Sequence, residues 1–218
     1  MRKIVAAAFV SLDGVMQAPG GPEEDPTGGF KYGGWTFPFF GDEELGGHMG
    51  ALFQKPFDLL LGRKTYDIFA AYWPYDGDGP IGTLFNTVTK YVATHSHDDL
   101  TWQNSRSLGD DIVSALKELR KGEGPDLLIQ GSSNLIQTLL QHQLIDEFSL
   151  LIFPVVFGKG KRLFGEGTMP SAMKLTKSRS FPSGVIQATY EPDGEVKTGS
   201  FGHDEPSAAE IERRKHLK

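Results

Sequence analysis

Short, wholly apolar runs alternate along the chain with stretches in which apolar residues recur every three or four positions. Ile4 to Val10 is such a run and ends in Ser11-Leu12-Asp13-Gly14, which predicts a strand buried on both faces and closed by a turn. Phe57 to Leu61, Tyr91 to Thr94, Leu127 to Ile129 and Glu147 to Phe153 predict further strands. Between them, Leu45, Met49, Leu52 and Phe53 follow Asp42 at helical spacing, with Asp42 as N-cap and Gly46, Gly47 and Gly50 weakening the helix. Gly62-Arg63-Lys64-Thr65 opens a second helix, reaching about Ala71. Ile112, Leu116 and Leu119 mark a third, and Leu135, Leu139 and Leu140 a fourth. Strands separated by helices imply a mostly parallel sheet with right-handed crossovers and helices on both faces. Lys174 to Arg179 and Gly184 to Tyr190 have no helix between them and predict an antiparallel C-terminal edge.

Residues 11 to 41 break the pattern. They hold eight Gly and four Pro, yet also Phe30, Tyr32, Trp35, Phe37, Phe39 and Phe40. A long connection inside a compact domain is usually functional, and the aromatic content predicts a lid rather than a linker. Residues 1–191 read as one domain. Residues 192–218 read as a polar C-terminal extension in which Pro206 to Lys218 forms a short charged helix.

The chain's 218 residues suit one domain with an extension, and 39% hydrophobic residues with 15 Phe exclude global disorder. The absence of Cys excludes disulfides, a thiolate nucleophile and cysteine-ligated metal centres. A net charge of −6 argues against nucleic acid as a partner. No apolar stretch approaches the roughly 20 residues that cross a bilayer, and the N-terminus lacks a cleavage site of signal-peptide type, so the expected location is cytoplasmic.

Candidate chemistry lies where predicted strands run into helices. Gly62-Arg63-Lys64-Thr65 delivers a glycine and two cations to a helix N-terminus, where free N–H groups and the positive end of the macrodipole attract phosphate. The alternative is a solvated turn. Gln130-Gly131-Ser132-Ser133-Asn134 is a second unit of this kind, although either serine would also serve as an ordinary N-cap. Thr94-His95-Ser96-His97 adds hydroxyl and imidazole groups at a third strand end. All three lie where an open α/β sheet binds ligands. Neither a P-loop nor a G-x-S-x-G elbow occurs, and no G-x-G-x-x-G follows a predicted strand. His95 and His97 lack a third metal ligand, and the Asp76-Gly77-Asp78-Gly79 run has Thr87 where a calcium loop needs Glu, so no metal is expected.

Ser11-Leu12-Asp13-Gly14, Leu61-Gly62-Arg63-Lys64-Thr65-Tyr66, Gln130-Gly131-Ser132 and Leu144-Ile145-Asp146-Glu147-Phe148 leading to Pro154-Val155-Val156-Phe157-Gly158-Lys159-Gly160 together resemble the dihydrofolate reductase-like family, in the form of the C-terminal reductase domain of bacterial riboflavin biosynthesis (RibD). The resemblance spans about residues 1–191. It implies a dihydrofolate reductase-like three-layer α/β fold, NADPH as cofactor, and hydride transfer to C=N or C=O of a small heterocyclic or sugar-derived substrate. At family level it implies 5-amino-6-(5-phosphoribosylamino)uracil reductase activity in riboflavin biosynthesis, but that specific role is not the expectation for this chain, because the zinc deaminase often joined to that reductase has neither length nor cysteines here.

Position by position, the resemblance assigns Gly62, Arg63 and Thr65 to the cofactor phosphates, Gln130, Gly131 and Ser132 to a second phosphate loop, Thr94, His95 and Ser96 to the adenosine 2′-phosphate, and Ala7 to the nicotinamide amide. Arg63, Lys64 and His95 favour NADPH over NADH. Many relatives carry two glycines where Gly131-Ser132 stands. Asp13 ranks first as proton donor and Glu44 second, with Glu43 beside it; Asp13 is equally good turn chemistry, and both glutamates suit any first helical turn. Trp35 and Met49 are expected against the substrate ring. A noncatalytic nucleotide-binding module with the same fold is the alternative function. A homodimer is expected, with the aromatic loop or the C-terminal helix as possible subunit contacts.

Overall fold

Alternate residues of β1 (Ile4–Ser11) point to opposite sides of the sheet: Ile4, Ala6, Ala8 and Val10 are buried, while Val5, Ala7 and Phe9 are partly open. The expected burial on both faces therefore holds for one face only, because the other borders a cavity. The computed structural model describes residues 1–76, 79–96, 98–202 and 205–217. His97, Gly77, Asp78 and Lys218, singled out above, lie outside them.

Among the described residues, seven further strands join the sheet: β2 (Phe57–Gly62), β3 (Lys90–Ala93), β4 (Ser105–Ser107), β5 (Asp126–Gln130), β6 (Glu147–Phe153), β7 (Met173–Ser180) and β8 (Ile186–Pro192). Their order is β4-β3-β2-β5-β1-β6-β8-β7. The first six are parallel, and β8 runs antiparallel to both β6 and β7. Among the described residues the α-helices are α1 (Glu43–Leu52), α2 (Arg63–Ala70), α3 (Pro80–Thr87), α4 (Ile112–Lys121), α5 (Ser133–Gln141) and α6 (Ala208–Lys215). The dihydrofolate reductase-like three-layer architecture is thus present.

The layers follow from strand alternation. Leu60 packs with Leu116 of α4 and Leu135, Ile136 and Leu139 of α5 on one face. Its neighbours Leu59 and Leu61 pack with Tyr66 of α2, Phe85 of α3 and Trp102 on the other. Lys90 is fully buried there, its Nζ donating to the carbonyl of Phe85 at 2.8 Å and lying 4.3 Å from the Trp102 ring centroid. Burial pushes its pKa down to about 8. The ammonium meets the C-terminal carbonyls of α3, where a cation is favoured.

Two elements escape the sequence pattern. Strand β4 is three polar residues at a sheet edge, too short for alternation to register, and α3 begins at Pro80, where no helix was expected. The aromatic lid also resolves differently. Phe30 and Trp35 are buried with Leu45, Phe153 and Phe181, and Phe39 packs against them, so these three rings complete a core cluster while Tyr32, Phe37 and Phe40 stay exposed. The three rings that reach the apolar sheet face bury there.

Candidate functional site

Strands β3, β2 and β5 are adjacent and parallel, which brings the three expected strand ends to one edge of the sheet. Below that edge a cavity of about 980 Å³ runs along the open face of β1 and β6. Ala7 stands in register with Gln130 of β5 and Ser149 of β6, and all three line it. Gly62, Arg63, Lys64, Thr65, Gly131, Ser132 and Met49 line it as well.

The two turns interlock. The Ser132 hydroxyl accepts from the Gly62 N–H at 2.9 Å, and the Ser132 N–H donates to the Thr65 hydroxyl at 3.0 Å. Gly131 and Ser132 both have left-handed backbone, at φ +62° and +58°. For serine this conformation costs roughly 1–2 kcal/mol, and the two hydrogen bonds offset it. A Cβ on Gly131 would lie 3.2 Å from Thr65 Cγ2, closer than ordinary contact. Neither α2 nor α5 carries a side-chain N-cap, so their first N–H groups are left for another acceptor. Arg63 Nε donates to Asp67 at 2.8 Å, while Arg63 Nη1 is buried without a partner. Orphaned donors at two joined helix ends fit the phosphates of a dinucleotide.

Residues 16–25 form the opposite wall. Gln17 holds this segment by donating to the carbonyls of Asp25 (2.9 Å) and Thr27 (2.8 Å). Asp25 is buried and accepts from Lys64 at 2.7 Å and Lys161 at 2.6 Å. Burial opposes its ionisation, but the bonds from Lys161, Lys64 and Thr27 outweigh it and hold the carboxyl well below the usual carboxylate range. Beside it, Glu24 accepts from Gly20 N–H (2.6 Å) and Gly21 N–H (3.2 Å) through Oε2. Burial, aided by the charge of Asp25 and opposed by those two bonds, raises the Glu24 pKa.

The other expected residues lie off this wall. Asp13 accepts from Ser11 Oγ (2.6 Å), Phe157 N–H (3.2 Å) and Gly158 N–H (2.8 Å), with the serine bond foremost in lowering its pKa; it braces a turn. Glu44 is paired with Arg179 on the surface, and Glu43 likewise does not line the cavity. Trp35 is 7% exposed and donates to the Gln17 carbonyl at 2.8 Å, supporting the wall from behind. The cavity reaches Ala93 but stops short of Thr94, His95 and Ser96. Thr94 is buried and accepts from Ser96 N–H at 2.9 Å, whereas His95 is exposed.

Glu24, Asp25, Lys161 and the apolar group Leu52, Phe69, Tyr72 and Trp73 join the site without having been anticipated. Pro22-Glu23-Glu24-Asp25-Pro26, a tight acidic run in a glycine-rich loop, was the available signal for the first two. Among the described residues, no group of three or more His, Asp or Glu is placed to hold a metal ion, and no helix is long and apolar enough to cross a membrane.

The profile of the RibD C-terminal domain matches residues 2–187. The uncharacterized protein YyaP of Bacillus subtilis (strain 168) is 29% identical over 202 residues, covering 88% of this chain and 96% of its own. A Shewanella sp. PV-4 structure named for riboflavin biosynthesis has 21% identity and a TM-score of 0.62, over 88% of this chain and 99% of that one. Dihydrofolate reductase from Enterococcus faecalis, complexed with NADP(H), has 16% identity and a TM-score of 0.53, over 88% and 96%. At these identities the structural likenesses establish a fold shared with reductases.

Proposed function

The chain belongs to the RibD C-terminal domain family, whose fold is of reductase type, and from that premise we propose that it is an NADPH-dependent reductase of small ring compounds bearing C=N or C=O. One observation carries the reading: two uncapped helix N-termini, joined through Gly62, Ser132 and Thr65, open on one large cavity beside a buried, unpartnered Arg63 nitrogen.

The free N–H groups of α2 and α5 would hold the diphosphate, with Gly131 admitting it closely. Arg63 and the exposed His95 favour a 2′-phosphate and hence NADPH over NADH. The open face of β1 at Ala7 and the partner strand residues Gln130 and Ser149 would orient the nicotinamide end. When bound, the reduced nicotinamide supplies a hydride to an electron-poor carbon. Glu24 is the proton donor in this reading: Oε2 is occupied by two backbone N–H groups, so the proton is held at Oε1 and passes to the nitrogen or oxygen that gains the electron pair. Solvent reprotonates this partly buried carboxyl.

Thermal-shift and fluorescence titrations with NADPH and NADH test the cofactor; no NADPH binding at millimolar concentration overturns the reading. Glu24→Gln should lower turnover roughly 100-fold or more without changing NADPH affinity. Because the protonated carboxyl is the active form, the wild-type rate should fall as pH rises past its raised pKa, and the variant should lose that limb. Tight NADPH binding with no oxidation across a panel of cyclic imines and carbonyls would instead favour a noncatalytic nucleotide-binding module.

A further inference from the structure

Helix α2 has two chemically distinct ends. Its N-terminus carries Gly62, Arg63 and Lys64, and its eight residues, rising about 1.5 Å each, make it roughly 12 Å long, with Ile68 and Phe69 in its last turn and the Tyr72–Trp73 corner just beyond. Met49 and Leu52 of α1 line the same cavity. No charged side chain of α1, of this far end of α2, or of the sheet lines it.

The cations on the wall are Arg63, Lys64 and Lys161, and each has a carboxylate within hydrogen-bond reach. Both lysines share the buried Asp25, and the remaining buried nitrogen of Arg63 belongs to the cofactor reading above. Glu23 adds a further carboxylate to the same wall, while Glu24, which holds a proton in that reading, adds no charge. An anionic substrate arm would therefore have to share the two lysines with Asp25, which already occupies both, or enter an apolar end unpaired at a cost in solvation.

The far end also offers a surface for stacking. Tyr72 is 58% exposed, its ring 5.0 Å from that of Trp73 at 84°, while Trp73 is braced edge-on by Phe85 at 5.1 Å. A flat ring can lie against this ledge with the ledge held rigid from behind.

Building on the NADPH-reductase reading, we propose that the substrate is a neutral, planar ring compound and that a phosphate or carboxylate arm counts against binding. This sets the site apart from a phosphoribosyl substrate.

The test uses the full chain. NADPH is titrated first; then the NADPH-saturated protein is titrated by calorimetry with a matched pair, 1-naphthol and 1-naphthyl phosphate. Naphthol should bind at least tenfold more tightly. Tyr72→Ala should weaken naphthol at least fivefold with NADPH affinity unchanged, and Asp25→Asn, which releases both lysines, should narrow the gap between the probes at least threefold. Equal or tighter binding of the phosphate, no binding of naphthol, indifference to Tyr72→Ala, or an unchanged gap in Asp25→Asn overturns the inference. Failure of NADPH to bind overturns the cofactor reading and this inference with it, whereas NADPH binding followed by a preference for the phosphate overturns the inference alone.

Discussion

Helices α1 and α4 start behind aspartates that accept their free N–H groups, Asp42 from Glu44 and Leu45 and Asp111 from Ser114, whereas α2 and α5 start behind Gly62 and Ser132 with no side-chain cap. Helix α6 is capped by Ser207. Helix α3 also lacks a cap, but Pro80 occupies its first turn, where a missing N–H costs little. A capping side chain typically contributes about 1 kcal/mol. In the proposed reading, the two helix ends that forgo it and meet over one cavity are the ones that receive the cofactor phosphates.

The sharpest way to break this contrast is to give α2 the cap it lacks. Gly62 has ordinary extended backbone, and a Cβ there would meet Ser132 and Leu135 only at 3.6–3.8 Å. Gly62→Asp should therefore fold with unchanged or raised melting temperature, yet lose NADPH affinity by roughly 100-fold, because its carboxylate takes the helix donors and repels phosphate. Arg63→Ala should weaken NADPH by roughly 30-fold, about 2 kcal/mol for a charge-assisted bond, with melting little changed. On the structural side, Asp111→Ala should cost about 1 kcal/mol in denaturant unfolding and leave NADPH titrations untouched. The smallest effect is expected from Ser132→Gly: relief of left-handed strain and loss of the bond to Gly62 oppose each other, leaving stability within about 1 kcal/mol and NADPH affinity within roughly threefold.

The same contrast explains which residues could be read in advance. Asp42 was legible as a cap, and Gly62 to Thr65 and Gln130 to Ser132 as strand-end turns, because each depends on neighbours within a few positions. The carboxylates were not separable in this way. Asp13, Glu44 and Glu24 all stand in turn or helix-start contexts, and only the fold puts the first against the 157–158 turn, the second against Arg179 and the third on the cavity. Trp35 posed a similar problem, since an aromatic-rich loop can cover a ligand or complete a core, and composition is the same in both cases.

The order of short apolar strands, helical stretches and glycine turns was enough to specify a mostly parallel three-layer sheet with an antiparallel edge, because side-chain alternation and turn chemistry act over a few residues. The charge balance of the cavity was beyond such reasoning. Asp25 meets Lys64 and Lys161 across 39 and 136 positions of chain, and Tyr72 and Trp73 share a cavity with Met49 and Leu52 of α1 only once the helices have packed on the sheet. Whether a cation is free or paired, and whether a ring is core or ledge, depends on what burial brings within a few ångströms, and that distance is set by the whole fold.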